Sequence, residues 1–330
     1  MAITLLHGCF HIELAVTDIE ATRQYLARVL GAAPIEQRLA EDLRGVLPPG
    51  YDIDHVDLAQ ATLQYNAPAA LEPGAERIGI HQRYLRDVGP CITNLNFYVD
   101  DVAHARELLT GLGAELWMSG PSTLVPSLSE YGENSRPGAS DRPYTFLGSR
   151  SLIGIDLELL EPNFVRFQEQ DSQEPCFMGE RTGSDAEGLR LERLVIVVPD
   201  LDAAYANIVE IFTPGSRSVP YAVREGSSGR AFRLTLSGIE LELCQPTSDA
   251  GPLAEHLRQF GPGVVRAEIG ARDVEPVLER ARAETAVAVV EAPDLLGDAD
   301  DRSRWQLASR SLVGFDILLE HAPDRALVAS

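Results

Sequence analysis

Four stretches of the chain share one hydrophobic pattern: a short apolar strand, an Asp, then an amphipathic helix. They are HIELAVTDIEATRQYLARVLG at 11–31, NLNFYVDDVAHARELLTGLG at 94–113, RLVIVVPDLDAAYANIVEIF at 193–212 and RAEIGARDVEPVLERARAE at 266–284. In the first, Ile19, Tyr25, Leu26, Val29 and Leu30 fall at helical spacing and predict one buried face. Asp18, Asp101, Asp200 and Asp273 stand at the strand-to-helix junctions, where a carboxylate oxygen can cap the first free amides of a helix. Gly31 and Gly113 follow their helices as left-handed C-terminal caps do. Strand character then returns and ends in an alternating segment: ATLQYNAP at 61–68, IDLELLEP at 155–162, IELELCQP at 239–246 and FDILLEHAP at 315–323. Each closes on Pro, which cannot continue a central ladder. The predicted unit is β-α-β-β-β, used four times.

Longer matches pair these units. FLGSRSLIGIDLELLEP at 146–162 returns as QLASRSLVGFDILLEHA at 306–322, an offset of 160 residues. GPCITNLNFYVDDV at 89–102 returns as GPGVVRAEIGARDV at 261–274, an offset of 172. An insertion in the first copy must separate the two registers, and the Ser-, Gly- and Pro-rich stretch 119–143 reads as that loop. The polar segment 163–188 reads as a linker. The expected fold class is α+β, with a first domain over 1–170 (modules 7–70 and 89–162) and a second over 185–330 (modules 189–246 and 261–323).

Composition narrows the partners. The 330 residues suit two domains, and 28 basic against 50 acidic residues give a net charge of −22. That balance argues against a phosphate-backbone binder and against docking on anionic lipid, so neither nucleic acid nor membrane is an expected partner. No apolar run reaches membrane-spanning length, and MAITLLHGCF has no basic n-region. Cys9, Cys91, Cys176 and Cys244 lack CxxC spacing and read as buried thiols of a cytoplasmic protein. The sequence leaves open whether the chain works as a monomer or a homodimer.

Four β-α-β-β-β modules in two pairs resemble the vicinal oxygen chelate superfamily, which includes glyoxalases, extradiol dioxygenases, methylmalonyl-CoA epimerases and bleomycin-resistance proteins. The resemblance rests on the strand-Asp-helix junctions and the E-L-x-x-P type endings, and covers nearly the whole chain apart from the linker. It implies that each pair curls into a cup-shaped mixed sheet with helices outside. It also implies a divalent metal (Fe, Mn, Co, Ni, Zn or Mg) held by first and fourth strands. The first-strand ligand stands seven residues before the junction Asp, and the fourth-strand ligand four before the closing Pro. In the first half those positions are His11, Gln64, Asn94 and Glu158. They match the His, Gln, His, Glu set of the epimerase branch except at Asn94. In the second half they are Arg193, Glu242 and Arg266, with Leu318 matched to Glu158 by the 160-residue offset. Guanidiniums do not ligate metals, so the second half is expected to be metal-free.

Strand alternation supports the same division. In the first half it puts His11 and Glu13, Gln64 and Asn66, Asn94, Asn96 and Tyr98, and Asp156 and Glu158 on one face. That face is too polar for a simple core, because unpartnered buried polar groups cost roughly 1–3 kcal/mol each. In the second half Arg193 and Arg266 meet Glu240, Glu242 and Glu268, which can neutralise them. Arg150 and Asp156 recur as Arg310 and Asp316, and a residue common to both halves reads as structural. Glu13 is the candidate general base, or else an orienter of a ligand. Tyr98 is the candidate acid/base or substrate contact, ahead of His55 and His81. The expectation is a metal-dependent epimerase, isomerase or lyase. It would act through an enolate-like intermediate on a small substrate with vicinal oxygens, with loop 119–143 as its lid. A ring-cleavage dioxygenase of extradiol type and a metal-free binding protein are the alternatives.

Overall fold

The computed structural model describes residues 1–34, 51–58, 61–68, 79–120, 144–161, 188–220, 222–297 and 304–322. The predicted lid and the predicted linker, with Cys176, fall outside these residues apart from their edges. The first half runs β1 (Leu5–Ala15), α1 (Ile19–Leu30), β2 (Ala33–Pro34), β3 (Asp52–Leu58), β4 (Ala61–Ala67), α2 (Ile80–Asp87), β5 (Cys91–Val99), α3 (Val102–Gly111), β6 (Glu115–Gly120), β7 (Tyr144–Gly148), α4 (Arg150–Ile153) and β8 (Asp156–Leu160). The second half runs β9 (Arg190–Val197), α5 (Leu201–Ile211), β10 (Arg224–Glu225), β11 (Gly229–Leu236), β12 (Ile239–Pro246), α6 (Pro252–Phe260), β13 (Gly263–Ala271), α7 (Glu275–Ala283), β14 (Val289–Glu291), β15 (Trp305–Leu307), α8 (Arg310–Val313) and β16 (Asp316–His321).

Each half forms one mixed eight-stranded sheet. The orders are β2-β3-β4-β1-β5-β8-β7-β6 and β10-β11-β12-β9-β13-β16-β15-β14. The two orders are the same path through four β-α-β-β-β modules, as the sequence pattern predicts. In both, the first strands of paired modules run antiparallel at the centre, and each pairs parallel with the last strand of its own module. Among the described residues, four helices escaped the sequence reading: α2 and α6, which join the modules within each half, and the one-turn helices α4 and α8.

Three of the four junction acids are N-caps as expected. Asp18 accepts from the Ala21 amide, Asp101 from His104, and Asp200 from Asp202 and Ala203. The fourth differs: α7 starts one residue later, with Val274 at its N-cap and no side-chain cap bond, and Asp273 accepts from the Glu275 amide from one position further out. Gly31 is the left-handed cap of α1, while α3 ends on Leu112 with Gly113 just beyond it at positive φ.

Alternation sorts the central strands by face. Ile12, Leu14, Leu63, Tyr65, Leu95, Phe97, Leu157 and Leu159 turn toward the helices, and one core runs from them into the second half. The halves also join directly. Ile3 bridges Phe212, the Thr22 hydroxyl donates to the Leu312 carbonyl, and α1 packs against α7 and α8. The repeated Ser-Arg-Ser-Leu motif proves structural. Ser149 and Ser309 donate to the carbonyls of Ile155 and Phe315, and Asp156 and Asp316 accept the amides of Arg150 and Arg310. Cys9, Cys91 and Cys244 are buried free thiols. Among the described residues no helix is long and apolar enough to cross a membrane.

Candidate metal centre

Strand register assembles the polar residues of the first half into two rows across the sheet. One row reads His55, Gln64, Glu13, Asn94, Asp156 from β3 to β8. The other reads His11, Asn96, Glu158. Strands lie about 4.8 Å apart within a row, and the two rows stand two residues, about 6.8 Å, apart along the strands, a gap that long side chains span. His11, Glu13 and Glu158 each bring one ligand atom within 4.8 Å of the other two. Two of these are expected ligands, and the third is the residue read as a base.

Gln64 and Asn94 turn toward Glu13 instead. Gln64 Nε2 donates to Glu13 Oε1 at 2.9 Å, and its Oε1 meets His55 Nε2 at 2.9 Å. Asn94 Nδ2 donates to Glu13 Oε2 at 2.7 Å and to Asn96 Oδ1, while its own Oδ1 accepts from the Thr93 hydroxyl. Asn66 Nδ2 adds a 2.7 Å bond to Glu13 Oε1, and His81 Nε2 lies 3.0 Å from the same oxygen. His81 Nδ1 is 2.6 Å from the Tyr51 hydroxyl, which also reaches Asn66 Oδ1. Oε1 of Glu13 is thus crowded by donors, and Oε2 retains lone-pair capacity.

Electrostatics follow from this packing. Burial alone would raise the Glu13 carboxyl, but His81, then His11 and the Asn94 amide, outweigh it and hold it down at about 2. Burial lowers His11 to about 3, with Glu13 opposing and His55 adding to the effect, so the imidazole is neutral. A neutral imidazole is the form that ligates a metal. Glu158 is pushed well above its usual range by burial and then by the Glu13 charge. Two crowded carboxylates and a neutral imidazole fit a divalent cation, which would relieve that repulsion. Asn96 Nδ2, buried in the same row as His11 and Glu158, has no partner among the described residues. As a donor it suits an oxygen held beside a cation, not the cation itself.

Tyr98 lies further along β5, opposite Leu6 and Leu160, in an apolar cluster with Ile80, Tyr84, Trp117 and Phe146. Sequence reading missed Asn66 and Tyr51 as parts of the Glu13 network, and mentioned His81 without spacing support. Helix α2, which delivers His81, was the overlooked signal: Ile80, His81 and Tyr84 form its buried side.

The second cup is built differently. Its counterparts of His11, Glu13, Asn94 and Glu158 are Arg193, Val195, Arg266 and Leu318. Arg193 meets Glu268 at 2.5 Å, Glu240 at 3.3 Å, Glu320 at 3.4 Å and Glu242 at 3.7 Å. Arg266 meets Glu268 at 2.8 Å, and Arg224 and Arg233 close on Glu242. The expected mutual neutralisation of arginines and acids is what fills this cup.

No protein-family model and no curated protein sequence matches the chain. Solved structures do. A mutant 4-hydroxymandelate synthase from Streptomyces coelicolor superposes over 98% of this chain and 95% of its own, with TM-score 0.59 and 17% identity. A xylose isomerase-like TIM barrel/4-hydroxyphenylpyruvate dioxygenase fusion protein superposes over 99% of this chain and 51% of its own, with TM-score 0.52 and 14% identity. At such identities the likeness is one of fold. It is the four-module, two-cup arrangement of the vicinal oxygen chelate fold.

Proposed function

We propose that this chain, with its two-cup vicinal oxygen chelate fold, is a metal-dependent enzyme whose centre lies in the first cup. The observation that carries the reading is the convergence of His11, Glu13 and Glu158, at positions occupied by Arg193, Val195 and Leu318 in the second cup. His11, Glu13 through Oε2, and Glu158 would hold a divalent ion. Once bound, that ion supplies Lewis-acid stabilisation for a substrate with two vicinal oxygens.

The chain's own residues do the rest. Gln64, Asn66, Asn94 and His81 fix Glu13 in one orientation and keep it ionised. A carboxylate held at about 2 by so many donors is a poor proton acceptor, which favours Glu13 as ligand over Glu13 as base. The Asn96 amide donates to a substrate oxygen. Tyr98, Phe146 and Leu160 supply apolar wall on the same face.

One imidazole with two carboxylates is a harder donor set than the two-His-one-carboxylate triad of non-haem iron oxygenases. That difference favours isomerase, epimerase or lyase chemistry through an enolate-like intermediate. The dioxygenase reading draws its support from the fold of the 4-hydroxyphenylpyruvate dioxygenase fusion protein.

Metal analysis of chelator-free protein tests the centre. About one equivalent is expected, lost in His11→Ala and Glu158→Ala and kept in Arg193→Ala. Less than about a tenth of an equivalent, with no gain on reconstitution, would overturn it. Screening candidate vicinal hydroxy-carbonyl compounds for solvent deuterium uptake and for oxygen consumption then separates the two chemistries. Deuterium uptake without oxygen consumption is expected.

A further inference from the structure

A cavity of about 150 Å³ lies between α2, β6 and the β7–α4 turn, lined by Arg83, Tyr84, Trp117, Gly148, Arg150 and Asp156. Four buried polar atoms of its lining have no partner among the described residues: Arg150 Nε, and the Tyr84 Oη, Trp117 Nε1 and Asp156 Oδ2 atoms of three deeply buried side chains. The Tyr84, Trp117 and Asp156 side chains are at least nine-tenths buried. Leaving such atoms unpaired costs roughly 1–3 kcal/mol each, so their convergence on one space calls for an occupant.

The second half is an internal control. There Gln306 Nε2 donates to Asp316 Oδ2 at 3.1 Å and completes the carboxylate. The residue at the matching place in the first half, 160 positions earlier, is Phe146, and Asp156 Oδ2 is left open. Trp117 is the extra residue of a β-bulge between Leu116 and Met118, whereas β14 pairs with β15 without one. A bulge re-aims a side chain, and this one sets the indole over the cavity. Any Cβ at Gly148 would lie 2.8 Å from that ring, and the matching residue of the second half is Ala308. Arg83 and Tyr84 correspond to Glu255 and His256. The features that distinguish the halves here all contribute to the cavity.

The chemistry of the lining selects a ligand. Arg83, Arg150, Trp117 and Tyr84 present donors, and guanidinium and indole nitrogens donate only. Arg83 contacts Glu115 through one guanidinium nitrogen, and Arg150 lies over the Tyr84 ring at 4.7 Å. Asp87, also on the lining, is already held by Arg86 at 2.6 and 2.8 Å. Two guanidiniums suit a carboxylate. Burial raises the Asp156 carboxyl to about 8, and a ligand hydroxyl, which both donates and accepts, pairs with Oδ2 in either protonation state. A space of this size takes a molecule of about six to eight non-hydrogen atoms.

We propose that this cavity is a second small-molecule site, which takes a small hydroxycarboxylate with its carboxylate on the arginines and its hydroxyl on Asp156. The site does not depend on the metal reading, so it is expected in chelator-stripped protein as well.

Trp117 is the reporter. The chain has two tryptophans, and Trp305→Phe leaves Trp117 alone. Titration of that variant with sodium lactate or 3-hydroxybutyrate, against sodium chloride at equal ionic strength, is expected to give a saturable fluorescence change with Kd on the order of 1 mM. Acetate, which lacks the hydroxyl, is expected to bind about tenfold more weakly. Phe146→Gln, which imports the capping amide of the second half, and Arg83→Met, at a partly exposed side chain, should each weaken binding about tenfold or more with the circular dichroism spectrum retained. A linear change shared by all the salts means a solvent-filled cavity and overturns the proposal. So does saturable binding of equal strength in Arg83→Met, which would lie elsewhere.

Discussion

Glu13 gathers more of the first cup than any residue around it. Four side chains point donors at its carboxylate, and each has another bond that fixes it in turn. Glu13→Gln would set an amide against those donors and leave several buried groups unsatisfied. The expected cost is about 3–5 kcal/mol, read as a lower urea midpoint, together with loss of bound metal. An unchanged midpoint would mean that the network contributes no stability. The outward spread of this network explains what was legible. Alternation along β1, β4, β5 and β8 shows which side chains share a face. It does not show that Gln64 and Asn94 spend their amides on a neighbouring carboxylate, because that depends on rotamers set by packing.

At the scale of elements, the two halves use one template with local edits. The β6 bulge is such an edit, and Trp117 depends on the missing side chain at Gly148. Gly148→Ala forces the indole to move, with an expected cost of about 1–3 kcal/mol and loss of the lactate-dependent fluorescence change. Urea denaturation at constant pH reads the first quantity, and stability equal to the parent would show that the ring gives way freely. Helix α2 is a second edit, through His81 where α6 has Leu253. Both edits lie in short segments whose patterns do not repeat between halves, so comparison of the repeats passes over them. The strand-Asp-helix junctions stand out for the opposite reason: capping is a local need, met by Asp in α1, α3 and α5.

Over the whole molecule, the halves share a core, and their arginines meet near it. His256 is buried beside Arg310 and Arg150, with Phe260 edge-on at 5.1 Å. Burial, then those two cations, hold its imidazole down to about 3. In the unfolded chain it protonates near 6.5. Between these values the unfolded state binds the extra proton, so stability falls as pH drops from about 6.5 toward 3. This one group contributes up to about 1.4 kcal/mol per pH unit. His256→Gln is therefore expected to flatten the fall in Tm between about pH 6.5 and 4 relative to the parent. Parallel Tm curves would contradict the assignment. In the second cup, Arg193→Ala leaves Glu268 with Arg266 alone and Glu240 without its guanidinium partner, and is expected to cost about 3–5 kcal/mol in a urea titration. Arg193→Met with Glu268→Leu is expected to recover most of that loss. Failure to recover would show that the remaining ions need this pair.

The sequence by itself determined the four-module plan, the junction caps, the polar face of the first half and the charge-matched face of the second. These follow from periodicity, repetition and residue type, which act over a few neighbouring residues. Tertiary structure decided which polar residues converge. Register brought Glu158 to His11 and Glu13. Helix α2 brought His81 to Glu13. A bulge and a glycine opened the cavity against Asp156. Those relations join residues far apart along the chain, and only the packing of strands and helices sets their distances.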